Sequence, residues 1–148
     1  MNDLITVLRS RLEAAVASVS YPRPGGGNVM PAVFVGGKPQ NIEADNSNVP
    51  FVMLRVTGGT DDQSERLLTA RILCAVWEED MAAGIAAIND LTLTVLSLQR
   101  QRGFTPYKLM LPVKWSIGDE QGDHPHPFYF ANIIYQFKGQ PLADRQLI

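Results

Sequence analysis

Asp119, Glu120, Asp123, His124 and His126 form the only group in this 148-residue chain with the makings of a metal centre. Carboxylate and imidazole are ordinary zinc ligands, and Asp123-His124-Pro125-His126 brings two imidazoles close along the chain. The ligand grammar is poor. Each His precedes a proline, and neither a cysteine ligand nor a His-Glu-x-x-His helix completes the set. The stretch therefore reads as a solvated hairpin loop, with no metal and no cofactor expected. A small metal-binding enzyme using His124 and His126 is the alternative.

Other candidate chemistry has an equally plain structural reading. Cys74 lies in the middle of an apolar strand pattern, which fits a small core side chain better than a nucleophile. No serine occupies a Gly-x-Ser-x-Gly elbow. Gly25-Gly26-Gly27 lacks the Lys-Ser/Thr that completes a phosphate loop and reads as a flexible hinge, and Gly58-Gly59 reads as a turn. Glu78-Glu79-Asp80 reads as a helix N-terminus. Trp77 and Trp115 read as sheet-packing residues whose truncation would cost about 3–5 kcal/mol if fully buried. No catalytic residue is expected, and the chain does not read as an enzyme.

Composition narrows the partners. Hydrophobic residues make up 45% and charged residues 19%, as in an ordinary folded domain, and the length suits one domain over 1–148. A formal net charge of -2 without a run of either sign argues against nucleic-acid binding through phosphates. The single cysteine excludes an intramolecular disulfide and suits a reducing, cytoplasmic setting. Met1-Asn2-Asp3 is not a basic leader, and no apolar run approaches spanning length, so no membrane partner is expected.

The elements that must hold these residues follow from periodicity. Leu4, Leu8, Leu12 and Val16 recur at helical spacing, predicting an amphipathic helix from Asn2 or Asp3 to Ser18 that Pro22 and Pro24 end. Residues 20–49 are dense in Gly and Pro and read as an extended arm ordered by a partner; only Ala32 to Val35 suits a short strand. Strands are predicted over 49–57 and 65–77, with Gly58 to Asp62 as the turn between them. A second helix runs to about Gln101 with Met81, Ile85, Ile88, Leu91, Val95 and Leu98 inward. A third strand, 107–117, has Tyr107, Leu109, Leu111, Val113, Trp115 and Ile117 on one face. Pro112 makes it an edge strand or places a bulge there. Residues 128–137 form a fourth strand and 139–148 a loose tail. The expected fold is α+β: a mostly antiparallel four-stranded sheet, two helices packed on one face, and a long Gly/Pro-rich loop after the first helix.

With these residues in view, the chain resembles the tail terminator, or tail completion, proteins of long-tailed bacteriophages and prophages. The likeness runs through the N-terminal helix, the Gly/Pro-rich loop, the Val49-Pro50-Phe51 lead-in and the Trp77-Glu78-Glu79-Asp80…Gly84 junction. It is clearest in Leu111-Pro112-Val113-Lys114-Trp115-Ser116-Ile117, a loop containing Gln121, and His126-Pro127-Phe128-Tyr129-Phe130. Asp123-His124 makes that loop longer than the family pattern.

The resemblance implies a ring, commonly a hexamer, that caps the finished tail tube, stops its polymerisation and offers a joining surface to the head. The implied partners are further copies of the chain, the tail tube protein and a head-side connector. The implied location is the virion tail, assembled in the bacterial cytoplasm. A related neck or minor tail protein of the same fold is a second reading. A ring needs one patch to meet a different patch on its neighbour, and the Pro112 edge and the 20–49 arm are the expected halves.

Overall fold

A computed structural model of the chain describes residues 2–36, 49–61, 65–100, 104, 107–118 and 126–139. Helix α1 (Asn2–Val16) buries Leu4, Leu8, Leu12 and Val16, one per turn, and pairs Arg9 with Glu13 across 3.0 Å on its wet side. Strands β1 (Tyr21–Pro22) and β2 (Asn28–Val29) form a short antiparallel ribbon. Its tip is Gly25-Gly26-Gly27, all at positive φ. Strand β3 (Ala32–Val35) follows, then β4 (Phe51–Asp61) and β5 (Arg66–Trp77). Helix α2 (Met81–Leu96) continues as a 3-10 turn, Ser97–Arg100, and β6 (Lys108–Ile117) and β7 (Phe128–Gly139) are the last of the described elements.

Among the described residues, the main sheet has five strands in the order β3-β4-β5-β7-β6 and is mixed, because β3 runs parallel to β4 while the other pairs are antiparallel. This corrects the expected four-stranded, mostly antiparallel sheet. The α+β class and its two helices stand, but a fifth strand and a separate two-stranded ribbon are added. The cause is Ala32-Val33-Phe34-Val35: four residues are too few to declare a period, yet their β-branched and aromatic side chains suit the open edge of β4. Residues 20–36 are thus folded onto their own domain rather than extended as an arm. Tyr21 is buried and its hydroxyl donates to Asp90 Oδ2 at 2.6 Å, which ties the ribbon to α2. The rest of the expected arm, 37–48, lies outside the described residues, as does 140–148 of the expected tail.

Other boundaries shift for local reasons. Gly58-Gly59 is not the turn: β4 runs on to Asp61, and the pair sits at a β4–β5 register shift. Gly58 has φ +154, and a side chain at Gly59 would strike the Leu67 carbonyl, so glycine at 59 is required by close backbone approach. At Pro112, which has no N–H to donate, β6 shows the expected irregularity: its register on β7 shifts between Met110 and Lys114. β6 is also an edge strand.

Both helices lie on one face of the sheet, α1 against β3 and β4, α2 against β5 and β7. Cross-strand rows feed the core beneath them. One row runs Val33, Val52, Cys74, Ala131, Ile117, and the next runs Val35, Leu54, Ile72, Ile133, Trp115. The opposite face carries a smaller cluster of Phe51, Met53, Ala75, Phe128 and Phe130 around Val49, so the central strands are apolar on both sides.

Helix α2 meets the sheet through a residue without a side chain. Gly84 is buried, and a β-carbon there would overlap the Tyr129 ring. Farther along, the buried Tyr135 hydroxyl donates to the Val95 carbonyl at 2.7 Å. The buried stripe is Gly84, Ile88, Leu91 and Val95, which places Met81 and Ile85 at its margin, 61% and 41% exposed, not inward as expected. Trp115 is likewise not a core residue. It is 56% exposed because it stands on the outermost strand, beyond the cover of α2.

Two substitutions test this packing. Gly84→Ala is expected to destabilise the chain by about 1–3 kcal/mol, since the methyl must displace the Tyr129 ring or lift the helix. Trp115→Ala is expected to cost about 0–1 kcal/mol, well below a buried aromatic. Urea unfolding midpoints measure both; equal losses in the two variants would show the packing to be misassigned.

Candidate functional site

Of the metal-centre candidates, only His126 lies within the described residues. His126 is exposed at the start of β7, with Nδ1 3.3 Å from the Tyr129 hydroxyl and the two rings edge to face. Asp119, Glu120, Asp123 and His124 lie outside the described residues. Among the described residues, no three His, Cys, Asp or Glu side chains converge on a metal position. The acidic run does what a helix N-terminus requires. Asp80 is the N-cap and accepts from the Ala83 N–H at 3.2 Å, while Glu78 Oε1 accepts from the Asp80 N–H at 3.2 Å. Gly25-Gly26-Gly27 closes a hairpin, with the Arg23 N–H donating to the Gly27 carbonyl at 3.1 Å, instead of hinging a loop.

The titratable groups of the core are held neutral. Burial pushes the Cys74 thiol up to about 12, so the thiolate a nucleophile needs is suppressed. Burial likewise raises Tyr21 well above the ordinary phenol range, and the hydrogen bond and negative charge of Asp90 add to it. Tyr135 is raised by burial and then by nearby Cys74. Tyr129 is raised by burial first, then by the negative charges of Asp80 and Glu78. Phenols in this state donate hydrogen bonds and stay protonated; they are fasteners.

Helix α2 and its 3-10 extension, Met81–Arg100, are long and apolar enough to cross a membrane by length and composition, contrary to the sequence expectation. Their buried residues, Gly84, Ile88, Leu91, Thr92, Val95, Leu96 and Leu98, instead mark a core helix laid on a sheet.

What remains exposed and unusual is apolar surface at the two ends of the sheet. On β6, Leu111 is 71% and Trp115 56% exposed. Trp115 pairs with Ile133, whose side chain is in the helix-side core, so the indole stands on the helix side as well. Met81 and Ile85 are exposed on α2. Met81 is nine positions from Asp90, about two and a half helical turns, and so lies opposite the side where Asp90 holds Tyr21. At the other end, α1 and β3 enclose an open groove of about 440 Å³ lined by Ile5, Thr6, Arg9, Ser10, Glu13 and Val35. Sequence reasoning placed Trp115 on the correct face, yet periodicity gave no sign that neither described helix covers it. No protein-family model matches the chain, and no curated protein matches it in sequence.

The buried acids generate a pH dependence. Cys74, Tyr21 and Tyr135 all have folded-state values above their unfolded ones. Below about pH 9 they are protonated in both states and contribute no slope; above it the unfolded chain releases protons first, so stability falls as pH rises. Cys74→Ala should flatten that fall by up to about 1.4 kcal/mol per pH unit between roughly pH 9 and 12. Urea midpoints at stepped pH check this, and an unchanged alkaline slope in the variant would contradict a protonated, buried thiol.

Proposed function

We propose that this chain is a structural protein of a long-tailed bacteriophage or prophage. In this reading it forms a ring that caps the tail tube, ends tube polymerisation and provides the surface that joins the tail to the head. The observation that supports the reading is the exposure of Leu111 and Trp115 on an edge strand, within the Leu111-Pro112-Val113-Lys114-Trp115-Ser116-Ile117 segment that carries the family resemblance. Large apolar side chains held on a rigid strand suit contact with another protein. The core acids, buried and protonated, are poorly placed for chemistry. Its partners on this reading are further copies of itself, the tail tube protein and a head-side connector protein, met in the bacterial cytoplasm and retained in the virion tail.

Tube subunits add to like subunits, so a terminator must match the tube on one face and refuse a further tube ring on the other. Loss of the protein is expected to give tails of excessive or variable length that fail to join heads, seen by electron microscopy of lysates. Adding back the purified chain early in assembly should restore joining. Tails of normal length that attach normally without it would defeat the proposal.

A further inference from the structure

We infer that the sheet face turned away from α1 and α2 binds the phosphate backbone of double-stranded nucleic acid, without reading its sequence. Arg55, Arg71 and Lys114 make the contact, with Lys108 and Lys138 beyond them. Its physical basis is independent of the tail function proposed above.

Strand alternation sorts the charges. Leu54, Ile72, Ile133 and Phe137 point into the core beneath the helices, so Arg55, Arg71, Ile134 and Lys138 point to the other side. Two cross-strand rows result, away from Phe51, Ala75 and Phe130. One is Arg55, Arg71, Ile134, Lys114; the other is Thr60, Leu67, Lys138, Lys108. The five cations are all exposed, and the whole chain has 13 Lys and Arg. A net charge of -2 argues against phosphate binding only while charge is evenly spread, and this fold gathers cations on one face.

Two of the cross-strand pairs are like-charged. Arg55 stands directly opposite Arg71, and Lys108 directly opposite Lys138, an arrangement that destabilises a sheet. Lys138 has relief from Glu65, whose Oε2 lies 3.4 Å from its Nζ. Asp61, at the end of β4, is engaged by Arg66 at 3.6 Å. Among the described residues, Arg55, Arg71, Lys108 and Lys114 form no ion pair. Their charge has no internal compensation, and an external anion supplies it.

Size and surroundings select the anion. Three strand spacings separate β4 from β6, and four residues of β7 separate the two rows, giving a patch of roughly 14 by 13 Å. A duplex carries one charge per ~1.7 Å of axis and so presents several phosphates to such a surface. Between and beside the cations stand Thr69, Gln136, Asn132 and Ser116, whose hydroxyls and amides suit phosphate oxygens. Neither row contains an aromatic residue, the stacking platform that a single strand uses. Neither contains a large exposed apolar side chain, as the centre of a protein interface or a membrane-inserting surface would.

The full-length chain and a fluorescein-labelled duplex of arbitrary sequence provide the test, by anisotropy at stepped salt. Four to five phosphate contacts give an expected fall in log affinity of about 4 per tenfold rise in salt. Arg55→Gln combined with Arg71→Gln should weaken binding about tenfold at low salt and reduce that slope by about 2. The melting temperature of this variant should not fall, because a repulsive pair has been removed. Arg55→Lys combined with Arg71→Lys should retain most of the affinity. Arg9→Gln, a cation removed from α1, should leave binding within about twofold of wild type. Absence of binding at low salt overturns the inference, as does a double Gln variant that binds like wild type. Tighter binding to a single strand of the same length, to polyglutamate or to phosphatidylserine vesicles also overturns it, and reassigns the face to that partner.

Discussion

The contact between Gly84 and the ring of Tyr129 governs how this molecule is layered. A helix carrying any side chain at that position would be held away from β7, and the positions that now fit would miss one another. With glycine there, α2 lies low enough for Tyr135 to reach the Val95 carbonyl and for Ile88, Leu91 and Val95 to bury completely. The row beneath is correspondingly small at its centre, where Cys74 and Ala131 leave room. Glycine inside a helix costs about 1 kcal/mol of propensity, which the close packing offsets.

That low seat also determines what is left over. Because α2 is centred on β5 and β7, and α1 on β3 and β4, the two helices cover four strands, and on β6 Leu109, Val113 and Ile117 are only partly buried against the core while Trp115 is exposed. The same packing holds the Cys74 thiol and the Tyr135 phenol in their protonated forms, and the Asp80 carboxylate caps α2 while Glu78 accepts from the Asp80 N–H.

Much of this was legible residue by residue. The four-residue spacing of Leu4, Leu8, Leu12 and Val16 specified α1, and alternation in β5 specified which side Ile72 and Cys74 face, because side-chain direction follows local backbone geometry. Pro112 announced a break in an edge strand for an equally local reason. What misled was context. Ala32–Val35 is strand only because β4 has an open edge beside it, and Gly58-Gly59 resembles a turn because a bulge and a turn ask for the same residue.

The sequence by itself determined the helices, the inward faces of the long strands and the protected cysteine. Each depends on side-chain type at short spacing. Only the tertiary structure decided that β3 joins the sheet in parallel, that Tyr21 fastens the ribbon to Asp90, and that Trp115 stands exposed at the end of a row that is otherwise core. Those outcomes depend on which distant element lies alongside. An apolar residue on the inward face of a strand is buried only if something covers that strand, and for β6 no part of the one-dimensional pattern says whether anything does.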